Sequence, residues 1–118
     1  MEKIKISKEG FEAIKQGAIH WRQDVYIYLL SGDKIKESIV SGLVWEKNNK
    51  EVPCYRDSCP LCSFSSPDCK NCPYVIGYGV KCNETGEPWL NFINNPNLET
   101  AGKMVERLEE LLTRVEVE

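Results

Sequence analysis

The amino-acid sequence predicts a small α+β domain: an N-terminal and a C-terminal helix packed around a loop-rich central segment, with a short hairpin as an option before the centre. Three observations predict it. An apolar stripe with helical spacing lies near each end of the 118-residue chain, and all six cysteines fall between them in a stretch punctuated by proline. The length suits one domain with a modest core, divided into residues 1–53, 54–82 and 83–118. Apolar residues make up 42% and charged residues 28%, which argues against wholesale disorder.

The first segment opens with Ile4 and Ile6 alternating with lysine. Ser7 can cap a helix whose first turn holds Lys8 and Glu9. Phe11, Ile14, Ala18, Trp21, Val25 and Tyr28 then recur every three or four residues, one apolar face on a helix of up to six turns. Ser31-Gly32 supplies a stop. Gly10 and Gly17 weaken the helix, and a rival reading ends it near Arg22 and makes Val25–Leu30 a buried strand. Residues 34–45 suit either structure: Ile35, Ile39 and Leu43 fit a helix, while the β-branched residues and Gly42 fit a hairpin. Residues 46–51 read as a charged, Asn-rich loop.

The last segment carries the second helix. Asn95-Pro96-Asn97 offers a cap and a proline suited to the first turn, and Ala101, Met104, Leu108, Leu111 and Val115 form the stripe. The two stripes are expected to pack on each other.

The centre reads Cys54-x4-Cys59-x2-Cys62-x6-Cys69-x2-Cys72-x9-Cys82. Pro60, Pro67, Pro73 and many small polar residues leave it too little apolar surface to order itself without a crosslink or a metal. Two Cys-x2-Cys pairs can each wrap a tight turn, and together they offer four thiolates at tetrahedral corners, which suits zinc. Cys59, Cys62, Cys69 and Cys72 are the first choice of ligands. A second set replaces Cys69 with Cys82. Cys54 stands further back, as a half-buried thiol, and so does His20, the single histidine, which suits a packing role better than ligation. A two-zinc cluster, an iron–sulfur cluster and a Cys59-Pro60-Leu61-Cys62 redox pair are the alternatives.

Cys59-Pro60-Leu61-Cys62, Cys69-x2-Cys72-Pro73, Cys82 and Pro88-Trp89, with Ala18-Ile19-His20-Trp21 ahead and Met104–Leu112 behind, resemble a group of small uncharacterised phage and prophage proteins. The resemblance covers about half the chain, mainly 11–22 and 59–112. The insert between Trp21 and the first pair is longer here, and Cys54 is extra. The resemblance implies a site of five cysteines that includes Cys82, and a viral origin with possible action on host machinery. It implies no activity.

Catalytic patterns are not met. His20-Trp21-Arg22 does not supply the His-x-Glu of zinc deaminases, one histidine cannot build a His-Glu-x2-His site, and no phosphate-binding glycine loop occurs. A zinc held by four thiolates has no open position for water, so a structural rather than an enzymatic role is expected.

The net charge is −3, and residues 83–118 hold eight acids against three bases. A protein partner is therefore expected ahead of nucleic acid, with Tyr55, Phe64, Tyr74 and Tyr78 available as contacts. In the second reading Arg56, Lys70 and Lys81 touch phosphates. MEKIKISKEG lacks the apolar run of a signal peptide, and the longest apolar stretch, Val25–Leu30, is too short to span a bilayer. No membrane association and a cytoplasmic location are expected (the host cytoplasm if viral), where paired cysteines favour metal over disulfides.

Overall fold

The computed structural model of the chain describes residues 3–39, 42–53, 61 and 72–118. Strand β1 (Ile4–Ile6) leads through Ser7 into helix α1 (Lys8–His20). The Ser7 hydroxyl accepts a hydrogen bond from the Gly10 amide at 3.1 Å, a cap worth about 1 kcal/mol. The helix continues through a π-helical turn (Trp21–Tyr26) into helix α2 (Ile27–Leu30) and stops at Ser31-Gly32. Gly32 has φ +96°, a left-handed conformation that glycine adopts without penalty. The rival strand over Val25–Leu30 is not formed.

The π-helical turn has a visible effect on the stripe. Ile14, Ala18, Trp21 and Val25 are buried as expected, but Tyr28 is exposed and Leu29 packs against the core in its place. Wider turns advance the chain by fewer degrees per residue, so the face that a regular helix returns to at position 28 is reached one residue later. Tyr28 instead stacks on Trp45, with ring centroids 5.3 Å apart.

Of the two options for this part of the chain, the paired strands are formed. Strand β2 (Ile35–Ser38) runs antiparallel to β3 (Gly42–Trp45), with Ile35 opposite Trp45 and Ser38 opposite Gly42. Leu43, Val44 and Trp45 are buried while Ile39 is fully exposed, so the helical spacing of Ile35, Ile39 and Leu43 does not define a buried face. The carboxylate of Asp33, 5% exposed, accepts from the Lys34 and Lys47 amides at 2.8 and 3.1 Å and so fastens the loop to the start of the hairpin.

Two short helices absent from the sequence reading follow. Helix α3 (Pro73–Tyr78) lies within the segment expected to be loop, and α4 (Pro88–Asn94) follows it. Each opens on a proline after a residue of extended backbone, where the missing N–H removes no helical bond.

Helix α5 (Leu98–Arg114) begins with a reciprocal cap: Thr100 N donates to Asn97 Oδ1 at 2.9 Å and Asn97 N to Thr100 Oγ1 at 3.1 Å. Pro96 precedes this cap rather than filling the first turn as expected. Strand β4 (Val115–Val117) then pairs in parallel with β1, Ile4 opposite Val115 and Ile6 opposite Val117. Val115, the last member of the expected helical stripe, is buried, but as a strand residue.

Helices α1 and α5 pack on each other. Ile14, Trp21 and Val25 share a core with Ala101, Met104, Leu108 and Leu111, and Phe92 from α4 sits edge-on to Trp21 at 5.1 Å. No described helix is long and apolar enough to cross a membrane.

Candidate metal centre

Of the sequence-predicted ligands, Cys54, Cys59, Cys62 and Cys69 lie outside the described residues. Cys72, Cys82 and His20 lie within them. Cys72 is 6% exposed. It stands immediately before Pro73 with φ −66° and ψ 129°, and its carbonyl accepts from the Ile76 amide at 3.1 Å. Cys82 is half-buried against the same core. It follows Gly79, whose φ of +76° ends α3. The two cysteines therefore bracket α3.

The first Cys-x2-Cys pair is represented by the residue inside it. Leu61, between Cys59 and Cys62 in sequence, is 3% exposed and belongs to the core that contains Cys72. It lies over Gly17 of α1, where an added Cβ would meet Leu61 Cδ1 at 2.3 Å and Leu108 Cδ1 at 3.8 Å. Gly17, which weakens the helix by propensity, thus leaves a notch that Leu61 fills. Gly77 of α3 stands in the same relation to Leu111 of α5, at 2.1 Å.

Two polar attachments hold the flanks of the cysteine segment. At its front, His20 Nε2 lies 2.6 Å from the Pro53 carbonyl oxygen and Nδ1 lies 2.8 Å from Asp24 Oδ2. Both partners accept, so a neutral imidazole can donate to only one of them. Ligation of a metal by His20 would displace one of these contacts.

At the rear, Tyr74 donates its hydroxyl to Glu87 Oε1 at 2.5 Å and accepts from Arg107 Nε at 3.1 Å, while Arg107 Nη2 reaches Glu87 Oε1 at 3.0 Å. The Arg107 guanidinium lies 3.6 Å from the Tyr78 ring centroid, and the Tyr78 hydroxyl donates to the Arg107 carbonyl at 2.9 Å. Arg114 covers the same ring at 4.7 Å and donates to the Gly77 carbonyl at 3.3 Å.

Burial, seconded by Glu87, raises the Tyr74 phenol well above its ordinary range. Burial and then the charge of Glu110 push Tyr78 up to about 12. Burial opposes the charge on Arg107, but the hydrogen bonds with Tyr74 and Glu87 outweigh it and the net shift is upward. Both phenols stay neutral and the guanidinium charged across the physiological range. Tyr74 and Tyr78, expected on the contact surface, are instead buried and half-buried in this network.

The network was missed in sequence because its members stand 13, 20 and 33 residues apart. The available signals were the two X-Pro helix starts, Cys72-Pro73 and Glu87-Pro88, and the one-turn spacing of Tyr74 and Tyr78. Among the described residues, no group of three or more His, Cys, Asp or Glu side chains is placed to hold a metal ion. No protein-family model, curated protein or solved structure matches the chain.

Proposed function

We propose that the chain is a small zinc-binding module whose role is to bind another protein. In this reading Cys59, Cys62, Cys69 and Cys72 hold one structural ion, with Cys82 as the alternative to Cys69. The observation that supports it most is the burial of Leu61 and Cys72 in one core, with Cys82 at its edge. One residue from each Cys-x2-Cys pair thus reaches the same apolar centre, although neither pair's segment is apolar enough to drive itself there. Four thiolates fill the tetrahedron and leave no position for water, so the ion's role is architectural.

The choice of a protein partner is supported by charge. The chain carries −3 overall, and Arg107 and Arg114 of its acidic end are engaged with Tyr78, Glu87 and Glu110 rather than turned towards a phosphate backbone. The resemblance of the cysteine pattern to small phage and prophage proteins points to host machinery as the source of that partner.

The test is a thiol titration of the chain as purified, before and after a strong chelator, combined with elemental analysis. One zinc per chain, with thiols that become reactive on its removal, is expected. Stoichiometric iron, no metal, or cysteines already oxidised to disulfides would overturn the reading. A mobility shift of nucleic acid at low salt would replace the protein partner with the second reading.

A further inference from the structure

We infer that the cleft between the π-helical turn and the hairpin receives a basic side chain, arginine or lysine, presented by a protein partner. That the partner is a protein rests on the reading above; the chemistry of the cleft does not. The cleft has a volume of about 340 Å³, at the small end of ligand sites, which suits one long side chain better than a cofactor. The helix contributes Asp24 and Tyr28, one turn apart. The hairpin and the chain that follows it contribute Trp45, Lys50 and Glu51, and Pro53 completes the lining.

The lining favours a cation. Tyr28 stacks on Trp45 yet stays 41% exposed, so the ring pair keeps π surface open to a ligand, and such surface attracts positive charge. His20 Nδ1 holds Asp24 Oδ2 at 2.8 Å, which fixes the carboxylate and leaves its Oδ1 to accept from a ligand. Glu51 has no ion-pair partner among the described residues. Its antiparallel bridge to Val44 sets its place, as does the turn in which Trp45 N donates to the Lys50 carbonyl at 2.7 Å. Two carboxylates beside an aromatic pair match a guanidinium or an ammonium group. Lys50 is the opposing charge. It is exposed and stands on a flexible stem, so its ammonium can withdraw to water as a ligand cation enters. The π-helical turn gives the site its geometry: it turns Tyr28 out of the core and towards Trp45. Turns of this kind often mark functional sites.

The test uses the whole 118-residue chain as purified, titrated with an N-acetylated, C-amidated Ala-Arg-Ala tripeptide and followed by the nuclear magnetic resonance signals of the Trp45 indole N–H and the Tyr28 ring. Saturable shifts are expected, weakening as salt is raised. The Ala-Lys-Ala peptide should act likewise, and Ala-Gln-Ala should produce no shift. Asp24→Asn and Glu51→Gln should each weaken binding about twofold to fivefold, the range of an exposed charge pair, and Tyr28→Ala should weaken it as well. Lys50→Ala should tighten it, a change of sign that loss of structure does not produce. Glu99→Gln, exposed in the first turn of α5, should bind as the parent does.

Equal shifts with the glutamine peptide, or parental affinity in both Asp24→Asn and Glu51→Gln, would overturn the proposal. Weaker binding in Lys50→Ala, together with a response to Ala-Asp-Ala, would overturn it too, since the cleft would then take an anion. No response to any tripeptide would remove the cation cleft and leave the zinc module standing. Binding of the arginine peptide by a chain that holds no zinc would remove the module and support the cleft.

Discussion

Helix α5 and the cysteine segment meet helix α1 at the same place, Gly17, where Leu108 and Leu61 lie side by side, yet the two regions draw their order from different sources. Helix α5 arrives there on its own account: a reciprocal cap at Asn97 and Thr100, a run of buried residues at helical spacing, and a terminal strand paired with β1. Each fully buried Leu or Met of that run contributes about 1.5–3 kcal/mol. Leu61 brings one apolar side chain from a stretch of cysteine, proline, serine and aspartate. Its order is borrowed, from the notch in α1 and, on the reading proposed above, from an ion. On that reading, a chain this short divides its labour: one region supplies a hydrophobic frame, and another would supply a surface that the frame and a metal shape together.

The largest expected effect is in the frame. Leu108→Ala should cost about 2–5 kcal/mol, because Leu108 is wholly enclosed between α1 and α5. Denaturant unfolding should show that loss with or without zinc. If the loss vanished on metal removal, the frame would depend on the ion and the contrast would fail.

Next comes the rear attachment. Tyr74→Phe keeps the ring but leaves Glu87 and Arg107 without their shared hydroxyl, an expected loss of about 1–3 kcal/mol. Amide exchange should quicken first in residues 73–78 and leave residues 8–30 nearly as slow as in the parent. A uniform change across the chain would mean that α3 belongs to the frame.

Cys62→Ser sharpens the comparison from the other side. It should abolish zinc uptake yet leave far-ultraviolet circular dichroism nearly unchanged, since α1 and α5 hold most of the described helix. Loss of the helical signal would contradict the division between the regions. The smallest effect belongs to the surface. Glu116 is held below the usual carboxylate range by its hydrogen bond and charge pairing with Lys5 across the β1–β4 pair. Its contribution is therefore present at neutral pH and is lost as acid protonates the folded carboxylate. Both groups are exposed, so Glu116→Gln should move Tm by less than about 2 °C.

The frame was largely legible in the sequence because its signals are local and periodic. Ser7, the stripe through Val25, the Ser31-Gly32 stop and the stripe of α5 all depend on neighbours within a turn or two. The π-helical turn was not legible. It shifts the buried face from Tyr28 to Leu29, and no spacing rule for regular helices anticipates that. The hairpin was undecided because a four-residue spacing of Ile35, Ile39 and Leu43 fits a helical face while β-branching fits a strand. The exposure of Ile39 shows why the strand prevailed. Helices α3 and α4 have six and seven residues, too few for periodicity to register.

At the candidate site, the proposed chemistry rests on cysteine spacing. What holds the segment in place does not appear in spacing at all. The Tyr74, Glu87 and Arg107 network and the reach of His20 to Pro53 are long-range contacts, and a glycine that reads as a helix weakness proves to be a seat for Leu61.

The most direct test of the account is the X-ray absorption spectrum at the zinc edge for protein purified under reducing conditions. The expected result is one zinc per chain surrounded by four sulfurs at about 2.3 Å. A shell containing nitrogen or oxygen, or the lack of any stoichiometric metal in reduced protein, would contradict it.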